Sequence, residues 1–371
     1  MVIVTGSLAF DHILDFPGKF SDYIIPDKLH KLNVSFLVDT LRRERGGCAA
    51  NIAYNLALLG ERPLIFATAG DDFTEYRKWL AEVGIDTRFI REIHNESTAV
   101  GFGISDSQDN QIWGYYPGAM RYAKDLKLEN IFETAQKNDA GESGRGKSPG
   151  ENFRFKRPGR IGLKNLSPID SKKQKIQDEK EEEFKPPRIE KNGVQLVIIA
   201  PNDPAAMIEL VKESKQYHFP YIFDPGMQIP RFSKEDLLKA VDGAKVLIGN
   251  DYEMDLIERM LGAQKQHLLK LAERVIVTEG SNGSKIFTQG GEIHIPPAVP
   301  KKVIDPIGAG DAYRAGIIYG LINRLSNETM GRIGSLLAAY TVEEFGTTTH
   351  HFKIIEFKKR YFESFGQRLE L

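Results

Sequence analysis

The sequence predicts an α/β protein with a mostly parallel central sheet, helices on both faces of that sheet and a small β-sheet set apart from it. Short apolar runs alternate with helical patterns along most of the 371 residues, as they do in doubly wound sheets. Several runs, among them Tyr221-Ile222-Phe223 and Val246-Leu247-Ile248-Gly249, are followed at once by Asp or Asn. Because open α/β sheets bind ligands at the carboxyl ends of their strands, this repetition predicts a ligand crevice along one edge.

Composition argues against several classes of function. Lys and Arg total 50 and Asp and Glu total 51, a formal net charge of −1, so we expect no nucleic-acid or membrane partner. We identify no signal peptide and no apolar run long enough to span a bilayer. A single cysteine allows no intrachain disulfide and favours a reducing compartment. We therefore expect a cytoplasmic monomer or homodimer that acts on a small molecule.

The chain begins with a buried strand over residues 2–6, and Asp11 follows its carboxyl end. A carboxylate at this place can accept hydrogen bonds from two neighbouring hydroxyl groups of a substrate. From position alone, the more ordinary interpretation is an aspartate that only shapes a turn. Both interpretations stay open.

Two groups of short strands interrupt the alternation and predict the small separate sheet. The first contains Ile13-Leu14-Asp15-Phe16 and Val34-Ser35-Phe36-Leu37-Val38. The second runs from Thr98 to Tyr116, with a hairpin turn at residues 106–110. We assign about residues 12–45 and 97–120 to this sheet. Between the two groups, Gly46 and Gly47 precede a helical pattern, which indicates either close approach to a ligand or simply a packed helix with a glycine start.

Residues 137–192 differ in kind from the rest of the chain. They are rich in Gly, Ser and charged residues and have almost no apolar periodicity. Such a segment cannot bury enough surface to order itself, so we predict a flexible polar insertion in a single domain of residues 1–371. It leads into the strand Leu196-Val197-Ile198-Ile199, so we expect it to join the sheet at the edge opposite the ligand crevice.

Glycine loops and capping patterns follow the later strands. Asn250 and Glu253 form a capping-box pattern, and Thr278, Gly280 and Gly283 form a polar loop after the strand at residues 274–277. The sequence contains no Gly-x-x-x-x-Gly-Lys-Ser/Thr pattern, which excludes a P-loop kinase, and no Gly-x-Gly-x-x-Gly after the first strand. The second absence argues against a dinucleotide-binding oxidoreductase.

The most specific stretch is residues 303–321. We interpret Val303-Ile304 as the end of a strand, Asp305-Pro306 as a turn, and Gly308-Ala309-Gly310 as the entry to a helix. A glycine turn before a helix presents free N–H groups to an anion. Asp311 would repel a simple anion, but it suits a general base that takes a proton from a hydroxyl attacking a phosphoryl group. The ordinary alternative is an aspartate that caps the helix.

Three residues with reactive side chains receive no chemical role. Cys48 is interpreted as a small buried filler without a redox function. His350 and His351 follow a predicted helix over residues 331–345 and have no neighbours that suggest a metal site or a base. We expect both histidines at the surface.

The motifs together resemble the ribokinase (PfkB) family of sugar and nucleoside kinases. Residues 305–313 are similar to its Asp-x-x-Gly-Ala-Gly-Asp-x-Phe signature, with Tyr313 in the Phe position and Ile307 in place of Thr or Asn. Residues 46–51 resemble Gly-Gly-x-x-x-Asn, and residues 250–253 resemble Asn-x-x-Glu. The motifs occur in family order and cover nearly the whole chain outside residues 137–192. The resemblance implies a three-layer α/β/α fold with the small sheet as a lid over the substrate.

The resemblance also implies roles for individual residues. Asp311 would be the general base, and the turn before it would stabilise the transferring phosphoryl group through the N–H groups of Gly308, Ala309 and Gly310. Substrate hydroxyls would be bound by Asp11, Gly46, Gly47 and Asn51. The phosphates of ATP would be bound by Asn250, Thr278, Gly280 and Gly283. Glu253 would hold Mg²⁺ through water.

The implied reaction is transfer of the γ-phosphoryl group of ATP to a primary hydroxyl, with Mg²⁺ as a cofactor and K⁺ as a further candidate. Residues 111–120 and the turn Asp224-Pro225-Gly226 look closest to the adenosine-kinase-like branch, and the rings of Trp113 and Tyr115 would suit stacking on a purine. A sugar acceptor of the ribose or fructose type is the alternative, because these rings can equally form the core of the lid. A catalytically silent ligand-binding member of the fold is the third hypothesis.

Overall fold

The computed structural model describes residues 1–108, 110–132 and 189–370. The predicted insertion lies outside the described residues, apart from residues 189–192. The strands are β1 (Val2–Thr5), β2 (Ala9–Asp15), β3 (Thr40–Gly46), β4 (Leu64–Gly70), β5 (Ile90–Ile93), β6 (Ala99–Ser105), β7 (Gln111–Tyr116), β8 (Leu196–Ile199), β9 (Tyr221–Phe223), β10 (Val246–Asn250), β11 (Val275–Thr278), β12 (Ser284–Thr288) and β13 (Gly291–Ile295). The helices are α1 (Cys48–Leu58), α2 (Thr74–Glu82), α3 (Pro204–Gln216), α4 (Lys234–Val241), α5 (Asp251–Leu261), α6 (Lys265–Leu268), α7 (Ala309–Ile322), α8 (Asn327–Thr341) and α9 (Ile354–Phe365).

The main sheet has nine strands in the order β13-β12-β11-β10-β9-β8-β1-β4-β5. Its pairs are parallel from β11 through to β5. The pairs β11–β12 and β12–β13 at one end are antiparallel. The predicted mostly parallel sheet is confirmed, although the antiparallel hairpin of β12 and β13 was not recognised in the sequence.

Two hydrophobic cores cover the two faces of this sheet. Successive residues of β1 point to opposite faces, so Val4 packs into one core and Ile3 into the other. Helices α1, α7, α8 and α9 bury their apolar residues in the first core. Helices α3, α4 and α5 do so in the second. The arrangement is the predicted three-layer α/β/α architecture. Within the described ranges, no helix is both long and apolar enough to cross a membrane.

The small sheet has four strands in the order β3-β2-β6-β7. The prediction of strands near residues 13–16 and 98–116 is confirmed. The strand predicted at Val34-Ser35-Phe36-Leu37-Val38 is wrong, since β3 begins only at Thr40. The ring of Phe36 lies among other aromatic rings, 4.8 Å from that of Phe16. Side-chain packing of a loop therefore produced the apolar signal that resembled a strand.

Two boundaries near the C-terminus also differ from the prediction. Val303 and Ile304 form no strand; Val303 is 65% exposed, and Ile304 donates its N–H to the carbonyl of Val342 just after α8. Helix α8 begins at Asn327 rather than at residue 331, because the hydroxyl of Ser326 accepts from the N–H of Thr329 and caps it.

The described chain stops at residue 132 and resumes at residue 189 on the amino-terminal edge of the main sheet. The ammonium group of Lys191 lies 5.7 Å from the ring centre of Phe132, and the amino group of Met1 donates to the carbonyl of Gly193 over 2.8 Å. The two ends of the gap are thus close together and lie beside the start of β1. This edge is opposite the carboxyl ends of the parallel strands.

Candidate active site

A cavity of about 610 Å³ lies between the carboxyl ends of the main-sheet strands and the small sheet. Ten of the residues singled out in the sequence line it: Asp11, Gly47, Asn51, Asn250, Glu253, Thr278, Gly280, Gly308, Gly310 and Asp311. Three others do not line it: Gly46, Gly283 and Ala309. A Cβ on Gly46 would lie 1.9 Å from a carboxylate oxygen of Asp11, and one on Gly283 would lie 2.1 Å from the carbonyl oxygen of Ile295.

The buried carboxylate of Asp305 stabilises the turn before α7. Asp305 accepts from the N–H of Ile307 over 3.0 Å and from the N–H of Gly346 over 3.1 Å. Gly308 has φ +83°, and a Cβ there would lie 2.8 Å from Cγ2 of Thr347. Only glycine fits this position without strain. The helix begins at Ala309, so the N–H groups of its first turn have no acceptor within the helix, and groups of this kind are suited to bind an anion.

Asp311 lies in this first turn and does not cap the helix. The N-cap residue is Gly308, and no side chain bonds the helix start. The Asp311 carboxylate instead accepts from Asn51 Nδ2 over 2.8 Å. Burial raises the pKa of Asp311 to about 6, against the opposing effects of Arg314 and of the Asn51 hydrogen bond. The group is thus mostly ionised at neutral pH yet basic enough to take a proton.

Both ends of the Asn51 amide are engaged. Its Oδ1 lies 2.7 Å from the hydroxyl of Thr347, and that hydroxyl also lies 2.9 Å from the carbonyl oxygen of Arg45. An ionised carboxylate can only accept, so the NH₂ group faces Asp311, and Oδ1 faces the Thr347 hydroxyl, whose single proton can go either to Oδ1 or to the carbonyl of Arg45. Asn51 lines the cavity as well, and its role in binding substrate hydroxyls, which the resemblance implies, stays a prediction. Thr347 was missed in the sequence, where it stands in a run of three threonines with no motif.

Asp11 lies on β2, so the alternative interpretation, an aspartate that only shapes a turn, is wrong. It is 8% exposed, and its carboxylate lies against Gly46 and Gly101, where a side chain would collide with it. Burial, followed by repulsion from Asp311, raises the pKa of Asp11 to about 6. Asp11 and Asp311 therefore face the same cavity and feel each other's charge.

Asn250 and Glu253 form the predicted capping box. Asn250 Oδ1 accepts from the Glu253 N–H, and Glu253 Oε2 accepts from the Asn250 N–H, each over 2.8 Å. Burial raises the pKa of Glu253. Because both residues also line the cavity, the structural and the ligand-binding interpretations are compatible.

A buried ion pair in the cavity wall was not recognised in the sequence. Arg314 donates from Nε and from Nη2 to the two carboxylate oxygens of Asp224, the second bond being 2.9 Å long. Arg314 Nη2 also lies 3.9 Å from Glu253 Oε2. A signal was present, because Asp224 follows strand β9 and Arg314 stands one helical turn after Asp311.

The lid covers the cavity with stacked aromatic rings. The rings of Trp113 and Tyr115 are 5.6 Å apart and nearly parallel, at 6°. Gly101 and Gly103 on β6 leave room for them. Both rings line the cavity, and Tyr115 is 60% exposed. They therefore offer an aromatic surface to a ligand and do not form a closed core.

Two expectations about reactive side chains are corrected. Cys48 packs against the first core but is only partly buried, and it lines the cavity; burial raises the pKa of the thiol, which keeps it protonated. His350 is 2% exposed, not at the surface. Its Nε2 lies 3.0 Å from Asn55 Oδ1, and burial lowers its pKa to about 4, so it is a neutral packing residue. His351 is exposed as expected.

Comparisons with known proteins agree with this geometry. The sequence profile of the pfkB family of carbohydrate kinases matches residues 16–142 and 165–353. The chain is 27% identical over 368 residues to a nucleoside kinase of Methanothermobacter thermautotrophicus. The match covers 98% of this chain and 96% of the relative.

Solved structures show the same similarity. The nucleoside kinase of Burkholderia thailandensis in complex with inosine has a TM-score of 0.77 and 28% identity, with 99% of each chain covered. The same enzyme with ADP-inosine has a TM-score of 0.75 and 29% identity, covering 100% of this chain and 98% of the other. The ribokinase of Arabidopsis thaliana, complexed with ribose and ATP, shares the fold at a TM-score of 0.64 and 17% identity, with 97% and 98% covered.

Proposed function

The chain belongs to the pfkB family of carbohydrate kinases, and on that premise we propose that it transfers the γ-phosphoryl group of ATP to the primary hydroxyl of a purine nucleoside. One observation carries the proposal. Asp311, Asp11 and the turn at residues 308–310 face a single cavity beneath a lid with stacked aromatic rings. A base, a site for a phosphoryl group, an acceptor of hydroxyl hydrogen bonds and a flat apolar surface are what such a reaction requires.

The proposed transfer has one chemical step. The acceptor oxygen forms a bond to the γ-phosphorus as the bond from that phosphorus to the β–γ bridging oxygen breaks, and the electron pair of the broken bond leaves with ADP. Asp311 takes the proton of the acceptor hydroxyl. The first N–H groups of α7 hold the transferring phosphoryl group, and donors of this kind are each worth about 10²–10³ in rate. The lid excludes water, which would otherwise compete as acceptor.

Asp11 is proposed to bind the ribose. Its carboxylate can accept from two adjacent hydroxyl groups, and it lies at the lid side of the cavity, whereas Asp311 lies on α7. A ribose held by Asp11 would direct its primary hydroxyl towards Asp311. Two bound hydroxyl groups would also offset the repulsion between the two carboxylates.

Mg²⁺ is proposed as the metal cofactor. Within the described part of the chain, no three His, Cys, Asp or Glu side chains gather into a metal site. Mg²⁺ does not need such a site, because it keeps several waters and binds through one or two carboxylates together with the phosphates of the nucleotide. Glu253, whose carboxylate lines the cavity, fits that requirement. The ion would neutralise charge on the phosphates. The family resemblance makes K⁺ a second candidate cofactor.

The aromatic pair favours a nucleoside over a simple sugar as the acceptor. A ribose or fructose has no flat apolar surface to match the rings of Trp113 and Tyr115, whereas a purine does. The similarity over nearly the full length to nucleoside kinases, one of them with inosine bound, supports the same choice.

The test is ADP production by the purified protein across a panel of purine and pyrimidine nucleosides, ribose and fructose, with and without Mg²⁺ and K⁺. We expect the highest kcat/KM with a purine nucleoside and Mg²⁺, and a nucleoside 5′-monophosphate as product. Preference for ribose or fructose would replace the nucleoside by a sugar. Saturable nucleoside binding without turnover of any acceptor would show a catalytically silent binding protein.

A further inference from the structure

The guanidinium group of Arg314 is held at one edge and free at the other. Arg314 is 8% exposed. Its Nε and Nη2 donate to the two oxygens of Asp224, which is itself 1% exposed. This bidentate pairing fixes the plane of the guanidinium, because two parallel hydrogen bonds allow little rotation. Burial lowers the pKa of Arg314, but the charge and hydrogen bonds of Asp224, together with the charges of Glu253 and Asp311, outweigh burial and leave that pKa raised, so the group stays charged.

Nη1, at the free edge of the guanidinium, lies beside the turn at residues 308–310. A Cβ on Gly310 would be 2.8 Å from Arg314 Nη1. Among the described residues, Nη1 has no hydrogen-bond partner, and it is not one of the buried polar atoms cut off from solvent. Arg314 and Gly310 both line the cavity, so Nη1 lies beside the first turn of α7 at the cavity wall.

We propose that Arg314 is a further catalytic residue, which donates from Nη1 to an oxygen of the phosphoryl group while that group passes from nucleotide to acceptor. The inference rests on the phosphoryl transfer proposed above. In such transfers, negative charge spreads over the three equatorial oxygens of the phosphoryl group, and positioned donors supply most of the catalysis.

Asp224 is the positioning residue in this arrangement. It balances the charge of Arg314 before substrates bind and leaves Nη1 free, so no side chain has to move as the reaction begins. The nearest contact of Glu253 with the guanidinium is to Nη2, at 3.9 Å, and not to Nη1. This role accounts for the position of the buried Asp224–Arg314 ion pair in the wall of the cavity.

Two other roles for Arg314 predict different results. Arg314 lowers the pKa of Asp311, so it could act only by keeping the base ionised. It could also serve only to stabilise the fold, because loss of one partner from a buried ion pair is strongly destabilising. The variants must separate these roles from direct contact with the phosphoryl group.

The decisive variants are Arg314→Lys, which keeps a charge beside Asp224 but loses the fork of donors, and the double variant Asp224→Asn with Arg314→Gln, which removes both charges of the Asp224–Arg314 pair. Arg332→Lys is the matched control, since Arg332 is comparably buried, with a side chain 13% exposed against 9%, and pairs with Glu328 outside the cavity. Steady-state kinetics are measured from pH 6 to 9.5, with thermal melting of each variant.

We expect both variants at Arg314 to lose about 10²–10³ in kcat, with the KM for nucleoside changed less than threefold and the loss persisting at pH 9.5. Arg332→Lys should keep the kcat of the intact protein. Recovery of full kcat at high pH would overturn the proposal in favour of an effect on Asp311 alone. Normal kcat in a folded double variant would overturn it outright.

The slow transfer of the γ-phosphoryl group to water provides an independent measurement, because it needs the phosphoryl site but no acceptor. If the acceptor class proposed above is wrong, the intact protein still hydrolyses ATP slowly, and the Arg314 variants should lose that hydrolysis by a similar factor. Equal hydrolysis by the intact protein and by both variants would refute the role of Arg314 whatever the acceptor is.

Discussion

Asp311→Asn tests the assignment of the general base most directly. Aspartate and asparagine have the same shape, and the new amide oxygen can still accept the hydrogen bond that Asn51 Nδ2 donates over 2.8 Å. The amide cannot, however, take a proton at neutral pH. Loss of a positioned general base costs about 10²–10⁴ in rate. We therefore expect kcat to fall by that factor, while the KM values for ATP and nucleoside stay within about threefold.

The pH dependence of the intact protein follows from the same site. Burial raises the pKa of Asp311 and that of Asp11 to about 6 each. At pH 7 about nine-tenths of each carboxyl group is ionised, and each pH unit below 6 lowers the ionised fraction about tenfold. If both must be ionised, kcat/KM should approach a hundredfold loss per unit in acid. The Asp311→Asn variant keeps only the titration of Asp11, so its residual activity should fall tenfold per unit.

Stability separates a chemical effect from misfolding. A carboxyl group whose pKa rises from 3.8 in the unfolded chain to about 6 in the folded protein favours folding when it is protonated, and that contribution is lost as the pH rises through 6. Removing the carboxyl group should therefore leave the melting temperature at pH 8 equal to or above that of the intact protein.

Single-turnover phosphorylation by the purified variant is the decisive assay, with Asp255→Asn on the exposed face of α5 as the control for a lost carboxylate. The control should react at the rate of the intact protein. A rate near normal in Asp311→Asn, with normal melting, would refute the general-base assignment and leave Asp311 as a structural residue.

Further predictions follow from the lid, from Asn51 and from the insertion. Trp113→Ala should raise the KM for a purine nucleoside by about 5- to 150-fold, since stacking is worth about 1–3 kcal/mol per base, while Phe102→Ala on the other face of the lid should not; equal losses with a sugar acceptor would mean that Trp113 is lid core. Thr347→Val should lower kcat/KM several-fold and raise the pH at which activity is half-maximal, because the amide of Asn51 is no longer held facing the base, and Thr347→Ser should restore both. Unchanged pH profiles in the Val variant would contradict that role. Replacing residues 140–185 by a short Gly/Ser linker should leave kcat within a few-fold, because the described chain leaves and returns on the edge of the sheet opposite the cavity; a folded deletion protein without activity would place those residues in the site.

The fold class and most residues of the cavity were predictable from the sequence. Strand and helix periods are local properties, so the alternation along the chain was sufficient to predict a parallel sheet and the edge at which ligands bind. The turn at Gly308-Ala309-Gly310 was predictable for a similar reason, since a glycine turn, a helix start and an aspartate stand next to one another in the chain. The resemblance then ordered Asp11, Asn51 and Asp311 around one reaction.

The hydrogen bonds between these residues could be seen only in the tertiary structure. Asn51 and Asp311 are 260 positions apart, and Thr347 and Asn51 are 296 apart, so no local pattern could show that the amide of Asn51 hydrogen-bonds both Asp311 and Thr347. Arg314 and Asp224 are separated by 90 positions. Their pairing depends on a helix and a strand end meeting across the sheet, and so does the direction of the free guanidinium edge. Burial of a polar residue also depends on tertiary packing. His350 belongs to no apolar pattern in the sequence, and it is buried because Tyr54 and Asn55 of α1 pack against it. Periodicity shows which residues face inward, but hydrogen-bond partners depend on distances that are fixed only when the layers pack.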